Sequence, residues 1–467
     1  MRMCNTSIGK GDRGQTLVVF ALVLPILILF AGLALDVGRL YVMKAQLSTS
    51  VDAACLTGMK NLTVGQSTAQ ALAIDMFQAN FGPNPPVPGV TFPLDASNNQ
   101  QVKVTATANV NTLFMRYLAQ WATVPVSATA VSTRGKLLMS LVLDRSGSMG
   151  SNGGETALQY AVPLFISDFS NTLDEVAMVS FSSNSTIDFP IGYNFWGTGA
   201  GTITSKVGAM SPNGGTFGTG AGTQPVKSTT IGAPLSLADA QNNSVAILPG
   251  QNVVKVLVYF TDGLMNAVQD KIYCKGSGGN PTDTTLLNYG GEDSPNTGVA
   301  FMDPTQANNV WTSFDPSSSA YFNYDGAGDR CRDISNNYVI KFTPQQPGNC
   351  QDGFAPPCKF SRANVTYEAQ YRATQTAIAM RTETPIPTYI YTIGMGTGVD
   401  SGTQNFLAKL ANDPDPKYPA GTYTPGQPSG EFFYIPSCSG GQLANCKTEL
   451  NTAFQTIAAK VLLRLTQ

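Results

Sequence analysis

The sequence predicts an α/β protein: a doubly wound, mainly parallel sheet flanked by helices, with a long cysteine-bearing insertion, preceded by one apolar helix and a small α+β module. Three observations carry that reading. Residues 17–35 hold no charge, short apolar runs recur at 137–143, 176–181, 253–260 and 389–393, and helical stretches near 155–172, 232–241 and 364–382 separate some of them. Strands covered on both faces read as unbroken apolar runs, and strands alternating with helices make parallel sheets. A chain of 467 residues is also long enough for about three units.

The apolar stretch comes first. Its 19 residues would span about 28 Å as a helix, close to a bilayer core of about 30 Å. Pro25 is tolerable in a membrane helix. A cleaved signal peptide is the rival, with Gly32-Leu33-Ala34 as a small-x-small site. Signal peptides carry shorter apolar regions, about 7–15 residues, so length favours a retained anchor. Arg2, Lys10 and Arg13 precede it, while Arg39 and Lys44 follow, which biases residues 1–16 toward the cytoplasm.

From Asp36 to about Leu62, the residues Leu40, Met43, Leu47, Val51, Ala54 and Leu56 recur on one helical face. Anchor and extension therefore read as one long helix. A second helix covers 66–80, and a Pro-rich loop covers 82–89. Alternation at Val102 and Val104, then at Val124, Val126, Ala128 and Ala130, predicts two strands around a short helix at 112–121. These residues, 36–135, form the stalk module.

The larger domain spans 136–467 and closes with a helix near 447–463. Its insertion, about 264–362, is rich in Gly, Asn, Asp and Pro and contains Cys274, Cys331, Cys350 and Cys358. A structureless loop of that length is not expected in a compact domain, so it reads as a disulfide-stapled insertion on the loop face. Residues 192–228, rich in Gly and Thr, read as a flexible loop. Six of the 8 cysteines, the four above with Cys438 and Cys446, lie in the C-terminal half. An even number in loop-like sequence implies an oxidising compartment, and Cys438 with Cys446 is the easiest loop to close.

Composition removes several functions. Lys+Arg 28 against Asp+Glu 30 gives a net charge of -2, with no basic stripe to track nucleic-acid phosphates. Histidine is absent. That excludes Ser-His-Asp and Cys-His nucleophile pairs, HExxH zinc sites and Cys2His2 fingers. Ser148 has no lysine motif nearby to activate it, so the chain does not read as an enzyme.

The chemistry-bearing run is Leu143-Asp144-Arg145-Ser146-Gly147-Ser148-Met149, directly after the first buried strand. Open α/β sheets bind ligands beyond the carboxyl ends of their strands. One carboxylate and two hydroxyls at alternate positions are hard oxygen donors, suited to Mg²⁺. A second acid, Asp262, ends the buried run before Gly263. Adjacent strands would bring Asp144 and Asp262 to one rim, and two neighbouring anions are costly without a cation between them. Taken alone, each motif also reads as a helix cap or a turn.

Together with Phe260-Thr261-Asp262-Gly263, the run 141–149 resembles the metal-ion-dependent adhesion site (MIDAS) of von Willebrand factor A domains. The resemblance implies a Rossmann-like sheet with one divalent ion on its upper rim, Mg²⁺ with Mn²⁺ or Ca²⁺ as substitutes. Asp144, Ser146, Ser148 and a threonine would bind the ion, and Asp262 would bind directly or through water. The family threonine usually sits in Gly-Gly-Thr-x-x-Gly. Here Gly214-Gly215-Thr216 has the glycines, while Thr229-Thr230-Ile231-Gly232 has the spacing into the following helix. Thr229 is favoured, with Thr216 as its rival.

The N-terminus carries a second resemblance. Arg13-Gly14-Gln15-Thr16, Phe20 to Pro25, Leu35-Asp36-Val37-Gly38-Arg39-Leu40-Tyr41 and Asp52-Ala53-Ala54 are similar to the TadE/TadG-like segment of tight-adherence (Flp) pilus-assembly proteins. An anchor of this kind with a distal von Willebrand A domain resembles the TadG type. Type IV-like prepilins carry a Glu five residues past the cleavage glycine, where this chain has Val19 after Gly14, so the anchor is expected to stay uncleaved. The resemblance implies a bacterial envelope protein, single-pass in the inner membrane, with its C-terminal domain periplasmic or exported. Its partners would be pilus-assembly proteins that offer a carboxylate to the metal. A cell-surface adhesin using the same site and a purely structural pseudopilin-like protein are the alternatives.

Overall fold

The computed structural model describes residues 13–118, 121–151, 153–181, 185–209, 232–263, 267–275, 281–290, 299–302, 312–314, 322–323, 330–332, 362–436, 438 and 442–465. For 13–16, 118, 147, 151, 232–233, the strands between 267 and 332, 362–366 and 368 the description is of the backbone alone. The chain divides into two compact units, Met1–Arg134 and Gly135–Gln467.

In the first unit, α1 (Arg13–Lys60) runs for 48 residues without a break at Pro25, about 72 Å at the α-helical rise. Every residue from 17 to 31 is exposed, and the helix is long and apolar enough to cross a membrane. Farther along, Leu47, Val51, Ala54, Cys55 and Met59 are buried, the three- and four-residue spacing of one packed helix face. Against that face lie α2 (Gln66–Phe81) and an antiparallel sheet of β1 (Gly89–Thr91), β2 (Gln100–Asn111) and β3 (Thr123–Arg134), in the order β1-β2-β3. The short α3 (Met115–Leu118) joins β2 to β3.

Val102, Val104, Ala106, Ala108 and Val110 of β2 alternate inward, as a half-covered strand requires. The outer face carries a hydroxyl ladder, Thr105 to Thr129 at 3.2 Å and Thr107 to Ser127 at 2.8 Å. Cys55 is a buried free thiol that donates to the Val102 carbonyl at 3.1 Å, consistent with a packing role.

Asp36 is the polar anchor of this unit. Its side chain is buried, and its carboxylate accepts the backbone N–H groups of Leu113, Phe114 and Met115 at 2.7, 2.7 and 2.8 Å. Those donors open α3 and would otherwise lack acceptors. One acidic residue thus ties the β2–β3 connection to the long helix.

The second unit is built on a six-stranded sheet: β4 (Lys136–Asp144), β5 (Glu175–Phe181), β6 (Ser185–Gly192), β7 (Val253–Thr261), then β14 (Thr388–Met395) and β15 (Phe432–Ile435). The order is β15-β14-β7-β4-β5-β6. All neighbours are parallel except β6, which returns antiparallel along β5. Pro190 in β6 costs no ladder bond to an outer neighbour, because β6 is an edge strand. Its helices are α4 (Gly147–Ser151), α5 (Gly154–Ile166), α6 (Ile203–Gly208), α7 (Gly232–Asn243), α8 (Arg362–Arg381), α9 (Ser401–Ala411) and α10 (Leu443–Leu465).

Alternate residues of β4 serve two cores. Leu137, Met139, Leu141 and Leu143 join the core with residues of α5 and α10, where the Phe165 and Phe454 rings stack at 4.7 Å. Val142 joins Val179, Leu257 and Tyr259 in the core that includes residues of α7, α8 and α9. On that same face the Ser140 hydroxyl lies 2.8 Å from Asn242 Oδ1, and Asn242 donates to the Val256 carbonyl at 3.2 Å.

Residues 267–332 contribute β8 (Ala267–Lys275), β9 (Pro281–Gly290), β10 (Val299–Met302), β11 (Thr312–Phe314), β12 (Phe322–Asn323) and β13 (Arg330–Arg332), a separate antiparallel sheet ordered β11-β10-β9-β8-β13-β12. Cys274 and Cys331 stand opposite each other in the β8–β13 register. Their side chains, with Cys350 and Cys358, lie outside the described residues. The disulfide-rich character expected of the insertion is therefore not part of the described structure, where the bond among described residues is Cys438–Cys446. The flexible loop expected over 192–228 needs correction in part: β6 reaches Gly192, and 203–208 is helical, capped by Thr202 Oγ1, which accepts the Ser205 N–H at 3.2 Å. Residues 210–228 lie outside the described residues.

Two outcomes are expected from this packing. Phe454→Ala should lower unfolding stability by about 3–5 kcal/mol, read by chemical denaturation, because its ring is fully buried between helices. At the opposite end of the sheet from the strand carboxyl ends, burial and the neighbouring Glu383 push the Asp239 carboxyl up to about 6, against the pull of Lys255. A raised acid stabilises the fold fully below its unfolded value near 4 and loses that contribution as pH rises through 6. Asp239→Asn should therefore gain in Tm relative to wild type between pH 4 and pH 7.

Candidate metal centre

The chain runs from β4 to β5 on one side and returns through β7 on the other, so the strand order reverses between β4 and β7. Beyond the carboxyl ends of such a pair lies the crevice where open α/β sheets bind ligands. The register pairs Leu143 with Phe260, which brings Asp144 and Asp262 to the same rim. Both are buried, as is Ser146, while Ser148 is exposed.

Local hydrogen bonds shape the loop after β4. Asp144 Oδ1 accepts the Ser146 N–H at 2.7 Å, which turns the chain back over the strand end. Met149 N–H then donates to the Ser146 carbonyl at 3.1 Å, and the Met149 side chain is buried in the α5 and α10 core. Between these fixed points the Ser146 and Ser148 hydroxyls lie 3.0 Å apart, and Ser148 donates to Asp262 Oδ1 at 2.9 Å. Two carboxylates and two hydroxyls thus form one connected set.

Thr261 completes it. Its hydroxyl donates to Asp144 Oδ2 at 2.7 Å from a fully buried position. Burial holds the Asp144 carboxyl above its ordinary range, against hydrogen bonds from Ser146 and Thr261 that draw it down. The Tyr259 hydroxyl, fully buried, is pushed well above its usual range by burial and then by the Asp144 charge. Gly398, after β14, comes close enough that an added Cβ would stand 2.5 Å from the Asp262 carbonyl oxygen. That contact holds the loop after β7 in place and requires glycine.

Of the residues expected at a metal, Asp144, Ser146, Ser148 and Asp262 are brought together. Thr229 and its rival Thr216 lie outside the described residues. Thr261 is not among the site residues expected from the sequence, although its place beside Asp262 at the end of an apolar run is legible. Gly398 has no such signal in the sequence. Among the described residues no three acidic or cysteine side chains group closely enough to hold a metal by themselves. The donor set is mixed carboxylate and hydroxyl oxygen, which fits a hard divalent cation and not a soft one.

Residues 14–71 match a family model described as "Putative Flp pilus-assembly TadE/G-like", a stretch that runs from the start of α1 into α2. No curated protein matches the chain in sequence. Among solved structures, the PilB minor pilin from Streptococcus sanguinis is 13% identical, with a TM-score of 0.36 over 81% of this chain and 79% of that one. The vWF domain of the type V pili tip protein Mfa5 from Porphyromonas gingivalis is 14% identical, with a TM-score of 0.36 over 72% and 98%. Proximal thread matrix protein 1 from the mussel byssus, with a zinc-occupied MIDAS motif, is 11% identical, with a TM-score of 0.31 over 70% and 46%. At these scores the likenesses carry no argument about function.

Thr261→Val should cost about 1.5–3 kcal/mol of stability, since it leaves a buried carboxylate without a charge-assisted hydrogen bond. Ser148→Ala also removes a donor to the buried Asp262 carboxylate, but Ser148 is exposed and water can take the place of its hydroxyl, so its cost should be smaller, about 0.5–1.5 kcal/mol. Denaturant unfolding of the two variants side by side checks the contrast.

Proposed function

We propose that this protein is a membrane-anchored, metal-dependent protein-binding component of tight-adherence (Flp) pilus assembly or anchoring, and that it binds without turning anything over. The observation that carries the reading is the joining of two buried carboxylates through the Ser146 N–H and the Ser146 and Ser148 hydroxyls at the crevice between β4 and β7. The family-model match over 14–71 supplies the pilus context.

Asp144, Ser146 and Ser148, with Thr229 or Thr216, would hold Mg²⁺, and Asp262 would bind it directly or through water. A bound divalent ion would offset the mutual repulsion of the two acids and present an open position to an incoming carboxylate. The protein's own part is preorganisation. Thr261 and the Ser146 N–H orient Asp144, Gly398 seats the loop of Asp262, and Met149 pins the serine loop to the core. Ser148, as the exposed member, faces the partner. Mn²⁺ or Ca²⁺ would substitute with altered affinity.

Residues 17–35 of α1 would cross the inner membrane, with 1–16 in the cytoplasm and the C-terminal unit periplasmic or exported. The Cys438–Cys446 bond supports an oxidising location for that unit.

Thermal unfolding of the protein in Mg²⁺ and Mn²⁺, beside Asp144→Ala, tests the metal. A ligand bound only to the native state at a hundredfold excess over Kd adds about 2.7 kcal/mol. A rise in Tm with metal in wild type, lost in Asp144→Ala, is expected. Equal Tm with and without metal in wild type would overturn metal dependence and leave the rim a hydrogen-bonded end to the sheet.

A further inference from the structure

We infer that the connection between β2 and β3, residues 113–117 with Trp121, seats in the lipid interface of the membrane that α1 crosses. The inference rests on the proposal that α1 is a membrane anchor, and it adds a second point of lipid contact to that anchor.

The connection is fixed at a definite height on the helix. Asp36, one residue past the charge-free run, holds the backbone N–H groups of Leu113, Phe114 and Met115. Phe114 then reaches back along α1: a Cβ on Gly32 would stand 2.3 Å from its ring, so only glycine admits the ring there. Gly32 and Asp36 are four residues apart, on one face of the helix, and both are buried. At the helical rise, the Phe114 ring contacts α1 about 6 Å nearer the middle of the apolar run than the backbone held by Asp36. Amphipathic segments at a bilayer bury their apolar side to a depth of about 5–10 Å.

The side chains presented at this height are those of a membrane interface. Leu113 is 50% exposed, Tyr117 82% and Trp121 56%. Thr112 N–H donates to the Ala122 carbonyl at 3.1 Å, which keeps Trp121 level with the residues tied to Asp36. The exposed Arg116 lies with its guanidinium 5.4 Å from the Tyr117 ring centroid, and an arginine there can meet lipid phosphate. Tyr and Trp with a basic residue at the end of an apolar span make the usual interfacial belt. Leu35 and Val37, which flank Asp36 on α1, are exposed as well. A soluble surface has no reason to gather these groups beside an apolar helix.

The test uses the full chain reconstituted in phosphatidylcholine–phosphatidylglycerol vesicles whose acyl chains carry bromine either near the headgroup or near the chain end. The emission removed by Trp121→Phe isolates Trp121 from Trp196 and Trp311. Most of that emission should be quenched by bromine near the headgroup and much less by bromine near the chain end. Ile26→Trp in the Trp121→Phe background reports the anchor separately, and chain-end bromine should quench it most. Quenching of the Ile26→Trp reporter without quenching of Trp121 would overturn this inference and leave the anchor standing. Loss of quenching at both sites would overturn both. A Trp121 shielded from lipid, together with crosslinking between copies through Tyr117→Cys, would assign the patch to a second copy of the chain and overturn the lipid assignment.

Discussion

The C-terminal unit depends on the complete enclosure of β4. Its neighbours β5 and β7 satisfy both of its edges, and helix-bearing cores cover both of its faces. Such a strand cannot shift by one residue without exchanging the side chains that serve the two cores. That places the last residue of β4, Asp144, at a fixed point on the rim. The parallel register with β7 then determines how far Asp262 can lie from it. The precision of the rim comes from apolar packing deeper in the sheet.

At that rim the energetics run against the fold. Two carboxylates are buried within reach of one chain of hydroxyls, and burial alone raises the Asp144 carboxyl above its usual range. Hydrogen bonds from Thr261 and the Ser146 backbone offset part of the cost. The remainder is the electrostatic demand that a cation would meet. A hydrogen-bonded rim of this composition is ordinary as a strand end and also suitable as a metal seat.

The N-terminal unit solves a related problem with one buried acid. Asp36 uses its carboxylate to end three backbone N–H groups, and it thereby joins the hairpin connection to a helix that is otherwise apolar on that stretch. Gly32 removes the side chain that would keep the Phe114 ring away. An acid and a glycine one helical turn apart are enough to hold the connection at one height.

Much of this is legible in the sequence. The apolar runs locate β4, β5, β7 and β14, because strands covered on both faces leave no polar interruption. The charge-free stretch and the recurring face of 40–56 mark one long helix. Asp144, Ser146, Ser148 and Asp262 are readable as a set, since each stands at or just past the end of such a run. The edge strands β6 and β15 escape the pattern, β6 being only partly covered and β15 only 4 residues long, and α9 escapes it despite Asp400 capping the helix through the Thr403 N–H. In sequence, Asp36 is one residue of a motif, and Thr261 and Gly398 carry no mark of their contacts. By itself the sequence determined where the strands covered on both faces and the long N-terminal helix form, because the periodicity of burial is local. Only the tertiary structure decided which acids meet, which backbone groups Asp36 holds and which glycines admit a close approach, because those contacts join residues far apart in the chain.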